Sequence, residues 1–261
     1  MSQRLGTRSR PPRPVRWVRS GVRRVRSGIG RALRGRGRAA LASSERAALR
    51  PGDPNGLRRL HVGCGPNHHL AAWWNVDIRP FPGVDEVFDA ARPWPWSGLD
   101  AVYGEHLLEH LEPGEAWRLL LEAGRALRPG GVIRLSTPSL EWVMKAQYDD
   151  DPDLPRDRAI TQTYTINRAF RGWGHRFLYS RPMLERLLHG AGFGDLRFER
   201  YGDSERPDLR GLEHHEDHGW AGGFQHVWIV EATRGPDPLV ISDELPGELE
   251  REFGRYVASG H

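Results

Sequence analysis

Cysteine is almost absent from this chain of 261 residues, and so is lysine. The single cysteine, Cys64, excludes a disulfide framework and a cysteine-rich zinc site. The single lysine, Lys145, does not stand in a Gly-Lys-Ser/Thr sequence, so no P-loop is available for a nucleotide triphosphate. No run of 18 apolar residues is present, which predicts no membrane span. The N-terminus lacks the unbroken apolar stretch of a secretory signal, and a cytoplasmic location is the expectation. The 38% apolar content can fill one core, and the length suits one α/β domain with an appendage.

The charge is divided very unevenly. Residues 1–50 hold 15 arginines against one acid, Glu45, while the rest holds 23 basic and 33 acidic residues. The high isoelectric point therefore belongs to an arm, and the body is acidic. Residues 1–14 are dominated by Arg, Pro and Ser and are expected to be disordered. Over 15–34, Val15, Val18, Val22, Val25, Ile29 and Leu33 recur every three or four residues among arginines, which predicts an amphipathic helix. A basic helix of this kind suits an anionic membrane surface peripherally; Gly21, Gly28 and Gly30 weaken it by about 1 kcal/mol each. Such contact would show as salt-sensitive sedimentation with anionic vesicles, absent when the arm is removed. The alternative is a solvated arm. Residues 35–56 read as a linker.

The stretch that carries chemistry is Leu60-His61-Val62-Gly63-Cys64-Gly65-Pro66-Asn67, followed by Trp74-Asn75-Val76-Asp77. An apolar strand runs into a glycine turn, and a second strand ends in a carboxylate that can accept from a ribose diol. A dinucleotide site would need a third glycine at His68 and a full helix before the acid; neither is present. Without a helix N-terminus for a pyrophosphate, the loop suits a nucleoside ligand that lacks phosphate.

These residues, together with Asp89, Glu105-His106-Leu107-Leu108-Glu109-His110 and Leu127-Arg128-Pro129-Gly130-Gly131, resemble in order the motifs of class I S-adenosylmethionine-dependent methyltransferases. The resemblance covers about residues 57–233. It implies a Rossmann-like, mostly parallel seven-stranded α/β sheet with an antiparallel last strand and helices on both faces. It also implies S-adenosylmethionine as cofactor, held by His61, Gly63, Cys64, Gly65, Asp77, Ile78, Asp89, Glu105 and His106. Asp77 would take the ribose, and Asp89 the adenine amino group. The chain departs from the pattern at His61, where an acid usually stands, and at Asn67, where a small residue does.

Alternating patterns predict strands at 57–62, 74–77, 84–88, 99–104, 131–137, 194–201 and 224–233, with helices at 113–127 and 181–191. Only a truncated helix is expected at 67–73. The insertions 139–180 and 202–223 are too long for plain connections, which marks them as acceptor-site elements. Residues 234–261 form an extension with a short helix, in which Leu249, Phe253, Tyr256 and Val257 share a face.

Acceptor chemistry must come from those insertions. Arg171, Trp173, Arg176 and Tyr179 offer binding and stacking groups, and His175 among them is the first candidate general base. His106, at the end of the fourth strand, is the second. Glu109 and His110, one turn later, read either as pocket groups or as helix caps. In the run Glu213 to His218, His214, Glu216 and His218 alternate as metal ligands could, but an acceptor lid with His214 on the substrate is preferred, and no metal is assigned. The segment Gly172-Trp173-Gly174-His175-Arg176-Phe177 resembles bacterial polysaccharide-locus methyltransferases and implies a small or saccharide-like acceptor. Two alternatives stand: a binding module without turnover, and a nucleic-acid methyltransferase steered by the arm. The acidic body and Gly-Glu-His-Leu-Leu, in place of a polar-Pro-Pro-aromatic motif, disfavour nucleic acid. Oligomeric state is not legible.

Overall fold

A computed structural model describes residues 56–255 and 257. The basic arm and its expected helix at 15–34 lie outside the described residues, as does Tyr256 of the C-terminal extension. The strands are β1 (Arg59–Val62), β2 (Trp74–Asp77), β3 (Glu86–Val87), β4 (Leu99–Glu105), β5 (Leu127–Pro138), β6 (Phe193–Glu199) and β9 (Val227–Arg234), with a small hairpin, β7 (Trp220–Ala221) and β8 (Phe224–Gln225). The helices are α1 (Pro113–Ala126), α2 (Leu140–Gln147), α3 (Arg156–Arg171), α4 (Arg181–Gly190) and α5 (Leu245–Glu248), the last continuing into a π-helical stretch, Leu249–Arg255.

Seven of these strands form one sheet in the order β3-β2-β1-β4-β5-β9-β6. Strands β3, β2, β1, β4 and β5 run parallel, and β9 is antiparallel to both its neighbours. This is the mostly parallel Rossmann-like sheet with an antiparallel last strand that the sequence predicts. The order reverses between β1 and β4, so the carboxyl ends of these two strands diverge and leave a crevice where ligands of such sheets bind.

Alternation along the strands builds two cores. Leu60, Val62, Val102, Ile133 and Leu135 point to the face packed by α1, through Ala116, Leu119, Leu120 and Ala123, and by α4, through Leu184, Leu187 and Leu188. Both helices start where their sequences say. A reciprocal capping box of Glu112 and Glu115 with Pro113 opens α1, and the Ser180 hydroxyl accepts from Met183 N at the start of α4. On the other face Ala101, Tyr103 and Val132 are covered by Trp73, Leu209 and Leu212.

Several expectations need correction. Residues 67–73 form turns rather than a truncated helix, because β2 begins at Trp74 and leaves no length for one. The insertion 139–180 is mostly helical: Ser139 Oγ caps α2 by accepting from Trp142 N, and α3 follows. Of α3 only Ala169 is buried, so it carries no apolar stripe for periodicity to reveal. The single strand expected at 224–233 breaks at His226 into β8 and β9. In the C-terminal segment Leu249 is buried and Phe253 meets Phe177 edge-on at 5.0 Å, but Val257 is exposed and leaves the expected shared face.

Candidate functional site

The glycine loop opens at the crevice. Gly63 adopts φ +71°, and a Cβ there would come within 2.9 Å of Leu107, so only glycine fits. Gly63 N and Cys64 N both donate to Val76 O, at 2.8 and 3.1 Å, which stitches the loop to the end of β2. Asp77 completes the stitch: its Oδ2 accepts from Gly65 N at 2.9 Å and its Oδ1 from Arg79 N at 2.8 Å. The carboxylate grips the loop from behind, and each oxygen keeps further acceptor capacity.

A cleft of about 1040 Å³ lies in front of this loop. One wall is His61, Gly63–Asn67 and His68; the floor is Glu105, His106 and His110; the far wall comes from α2, α3 and the turn after it, through Trp142, Arg168, Trp173 and His175. Residues His214–Glu216 and His218 close it from the 202–223 insertion. Nine of the eleven histidines among the described residues line the cleft.

Two carboxylates organise these imidazoles. Glu105, ending β4, is 5% exposed. Its Oε1 accepts from His214 N at 2.8 Å, from His215 N at 3.1 Å and from His215 Nδ1 at 3.2 Å; its Oε2 is 3.0 Å from His68 Nδ1. Burial raises its pKa, but the hydrogen bonds from His215, His68 and the two backbone N–H groups outweigh it and hold the carboxyl well below the usual range. Glu109 is wholly buried. Its Oε1 accepts from His106 Nδ1 at 2.7 Å and its Oε2 from Thr137 Oγ1 at 3.0 Å. There too burial pushes upward, and the His106 contact reverses the net direction to downward.

The remaining titrating groups follow their surroundings. His61 is driven down to about 3 by burial and by His68, so the residue in the acid's place is a neutral imidazole. Its Nδ1 lies 3.2 Å from Asn75 Oδ1, an oxygen that also accepts from Leu70 N, so His61 Nδ1 is the donor. His226 falls to about 4 through burial and the charges of His218 and His106. Burial pushes the Cys64 thiol up to about 12, with Asp77 adding to it, so Cys64 is an inert small residue.

The Glu105–His215 pair is expected to make the attachment of residues 213–218 pH-dependent. The pKa of His215 is raised, so its contribution is complete below its ordinary 6.5 and is lost as pH rises through the raised value. The pKa of Glu105 is lowered, so its contribution is complete above its ordinary 4.5 and is lost as pH falls through the lowered value. Amide-exchange protection of His214 and His215, corrected for intrinsic rates, should therefore be greatest between the two ordinary values and decline as pH rises through the raised His215 value. A flat profile, or one unchanged in His215→Ala, would exclude the pair as the latch.

The expected site residues divide into three groups. His61, Gly63, Cys64, Gly65, Glu105, His106, Trp173, His175 and His214 meet at the cleft. Asp77 stands directly behind it. Ile78 is 63% exposed, and Asp89 caps its own turn, accepting from Ala91 N at 3.0 Å and Arg92 Nε at 3.3 Å; neither lines the cleft. Arg171 is exposed at the end of α3, and Arg176 pairs with Glu112 at 3.2 Å; neither lines the cleft. Tyr179 is corrected: it is fully buried, with its hydroxyl 3.5 Å from Leu108 O, and cannot meet a substrate. The sequence reading missed His68, His215 and Trp142, and it missed the buried Arg134, bidentate on Glu213 at 2.8 and 2.9 Å and paired with Glu231 across the β5–β9 ladder. Its signal was a charge of each sign in two otherwise apolar strands.

No family model matches the chain, and no curated protein matches its sequence. Solved structures match at low identity. Human N-acetylserotonin methyltransferase in complex with SAM is 17% identical over 68% of this chain and 47% of that one, with a TM-score of 0.39. The S-adenosylmethionine-dependent methyltransferase SibL, in its apo form, is 20% identical over 74% of this chain and 55% of that one, at 0.41. An S-adenosylmethionine-dependent methyltransferase from Mesorhizobium loti is 18% identical over 68% of this chain and 91% of that one, at 0.43. The chain thus spans about half the length of the first two. Likeness at this level assigns no activity.

Proposed function

We propose that the protein is an S-adenosylmethionine-dependent methyltransferase acting on an oxygen or nitrogen of a small or saccharide-like acceptor. The observation that carries this reading is the glycine loop. It is stitched to Val76 and Asp77, has no helix behind it, and opens at the strand-order reversal onto a cleft with room for two ligands. A nucleoside donor without phosphate fits the loop wall. The acceptor fits the far wall, where the exposed Trp173 indole offers a stacking face. Methyl transfer from a sulfonium is an in-line displacement, and holding the two reactants in line can supply roughly 7–11 kcal/mol.

Calorimetric titration tests the donor. The protein should bind S-adenosylmethionine or its demethylated product and not NAD. Asp77→Ala should weaken that binding by about ten- to a hundredfold, from loss of a charge-assisted hydrogen bond and of the loop's anchor. A melting curve of the free variant separates loosening of the whole domain from loss of the contact. Unchanged affinity removes Asp77 from the site, and tighter binding of NAD removes the donor assignment. Binding without turnover across a panel of hydroxyl and amine acceptors would leave a binding module.

A further inference from the structure

A second constellation stands at the wall of the cleft, which His110 and His175 line with Glu109 buried behind them. One ligand atom each of Glu109, His110 and His175 lies within 4.8 Å of the other two. The chain brings them together from two directions. Glu109 and His110 lie in the 3-10 turn after β4, and His175 follows the turn that ends α3. That second turn is bent through left-handed backbone at Trp173, φ +55°, and at Gly174, φ +88°. A tryptophan in this region is strained, and the strain places His175 in the cleft.

Each side chain is fixed from behind. His175 Nδ1 lies 2.8 Å from Ala169 O, which can only accept; the proton is therefore on Nδ1, and Nε2 keeps its lone pair. His110 hydrogen-bonds the backbone of Gly174. Glu109 is oriented by His106 and Thr137, and each oxygen retains one acceptor site. Imidazoles anchored through one nitrogen, beside a carboxylate that is itself hydrogen-bonded, are what metal ligands look like when their outer partners are in place.

We propose that Glu109, His110 and His175 form a binding site for a divalent transition metal of the zinc or cobalt kind, whose open positions take a hydroxyl oxygen of the acceptor. Two nitrogens and one carboxylate suit such ions better than magnesium, which prefers oxygen alone. The inference rests on the methyltransferase reading for its role in catalysis. It narrows the acceptor to hydroxyl or vicinal diol compounds and turns His175 from base into ligand. The metal polarises the bound O–H, and its proton passes to His106 Nε2. The oxygen lone pair forms the new C–O bond while the C–S bond breaks, its electron pair going to sulfur. The sulfonium becomes a neutral thioether and the histidine gains the positive charge.

The test is equilibrium dialysis of the full-length protein against Co²⁺ and Zn²⁺, without cofactor, with the visible absorption of bound Co²⁺ as a second readout. Wild type should take up one ion. His175→Ala, and separately the near-isosteric Glu109→Gln, should each weaken uptake by more than roughly a hundredfold, the upper end of what an outer-partner change costs. His218→Ala should leave uptake in place. Melting curves show which variants fold, and retention by either folded ligand variant overturns the site. So does loss in His218→Ala, which would move the ion to the 213–218 loop. Cofactor titration in the presence of a chelator keeps the two readings apart. Cofactor binding without metal uptake sinks this inference alone, whereas metal uptake without cofactor binding sinks the methyltransferase reading and leaves the ion site.

Discussion

Replacing Arg134 by alanine is expected to destabilise the domain by about 3–5 kcal/mol. The guanidinium is fully buried, forks onto both oxygens of Glu213 and pairs with Glu231. Burial alone would lower its pKa, but the two carboxylates reverse this and raise it, so the ion stays charged in the core. Without it two buried carboxylates face each other with no cation, and that uncompensated desolvation dominates the cost. At roughly 2–4 °C per kcal/mol for a domain of this size, the melting temperature should fall by about 6–20 °C. Urea unfolding should show a lower midpoint at an unchanged slope. The chain carrying Arg134→Met, Glu213→Leu and Glu231→Leu together should recover most of the loss, because no charge remains to be desolvated. A loss below about 1 kcal/mol in Arg134→Ala would mean that water reaches the cluster.

The same cluster ties stability to the site. Glu213 begins the run whose next two backbone N–H groups fall on Glu105 Oε1. One end of the 213–218 run is therefore held by Arg134 in β5 and the next residues by Glu105 in β4, strands that are neighbours in register, with Arg134 opposite Tyr103. Loosening Arg134 should widen the cleft on the side of His214 and His215.

How much of this was legible in the sequence depends on how local the cause is. The glycine loop is local: Gly63 and Gly65 stand where the chain must turn, and Asp77 ends the next strand 12 residues after Gly65, so both the turn and its acid could be read. Helices α1 and α4 carry caps and apolar stripes, and their limits were foreseen to within a residue. Helix α3 buries Ala169 and little else, so nothing periodic announced it. The histidine cleft is the least local feature. It joins the loop after β1, the end of β4, the turn after α3 and the 213–218 run, and no spacing in one chain shows that His68 will stack on His214 at 5.0 Å. Tyr179 was misplaced for a related reason: its neighbours Trp173 and His175 face the cleft, but Tyr179 itself is bridged to Ser139 at the sheet edge and buried.

On the proposed methyltransferase reading, His106→Asn is expected to lower kcat by roughly 10²–10⁴ while leaving cofactor affinity within about twofold. His106 is held at the carboxyl end of β4 by His106 N donating to Ser136 O at 3.0 Å, and its backbone is left-handed, φ +48°. Histidine and asparagine both tolerate that region better than most residues, so the asparagine variant should keep the backbone and remove only the imidazole. The ring is aimed by Glu109, which accepts from Nδ1 at 2.7 Å. That fixes the tautomer with the lone pair on Nε2, as a buried carboxylate does for a histidine acting as general base. The acceptor proton has to leave in the step that forms the new bond, so loss of this nitrogen should appear in kcat, not in the acceptor KM. A purely structural role would instead lower the melting temperature and raise KM. Turnover within about threefold of wild type in a folded His106→Asn would end the base assignment, because proton transfer by a positioned histidine accounts for at least roughly a hundredfold.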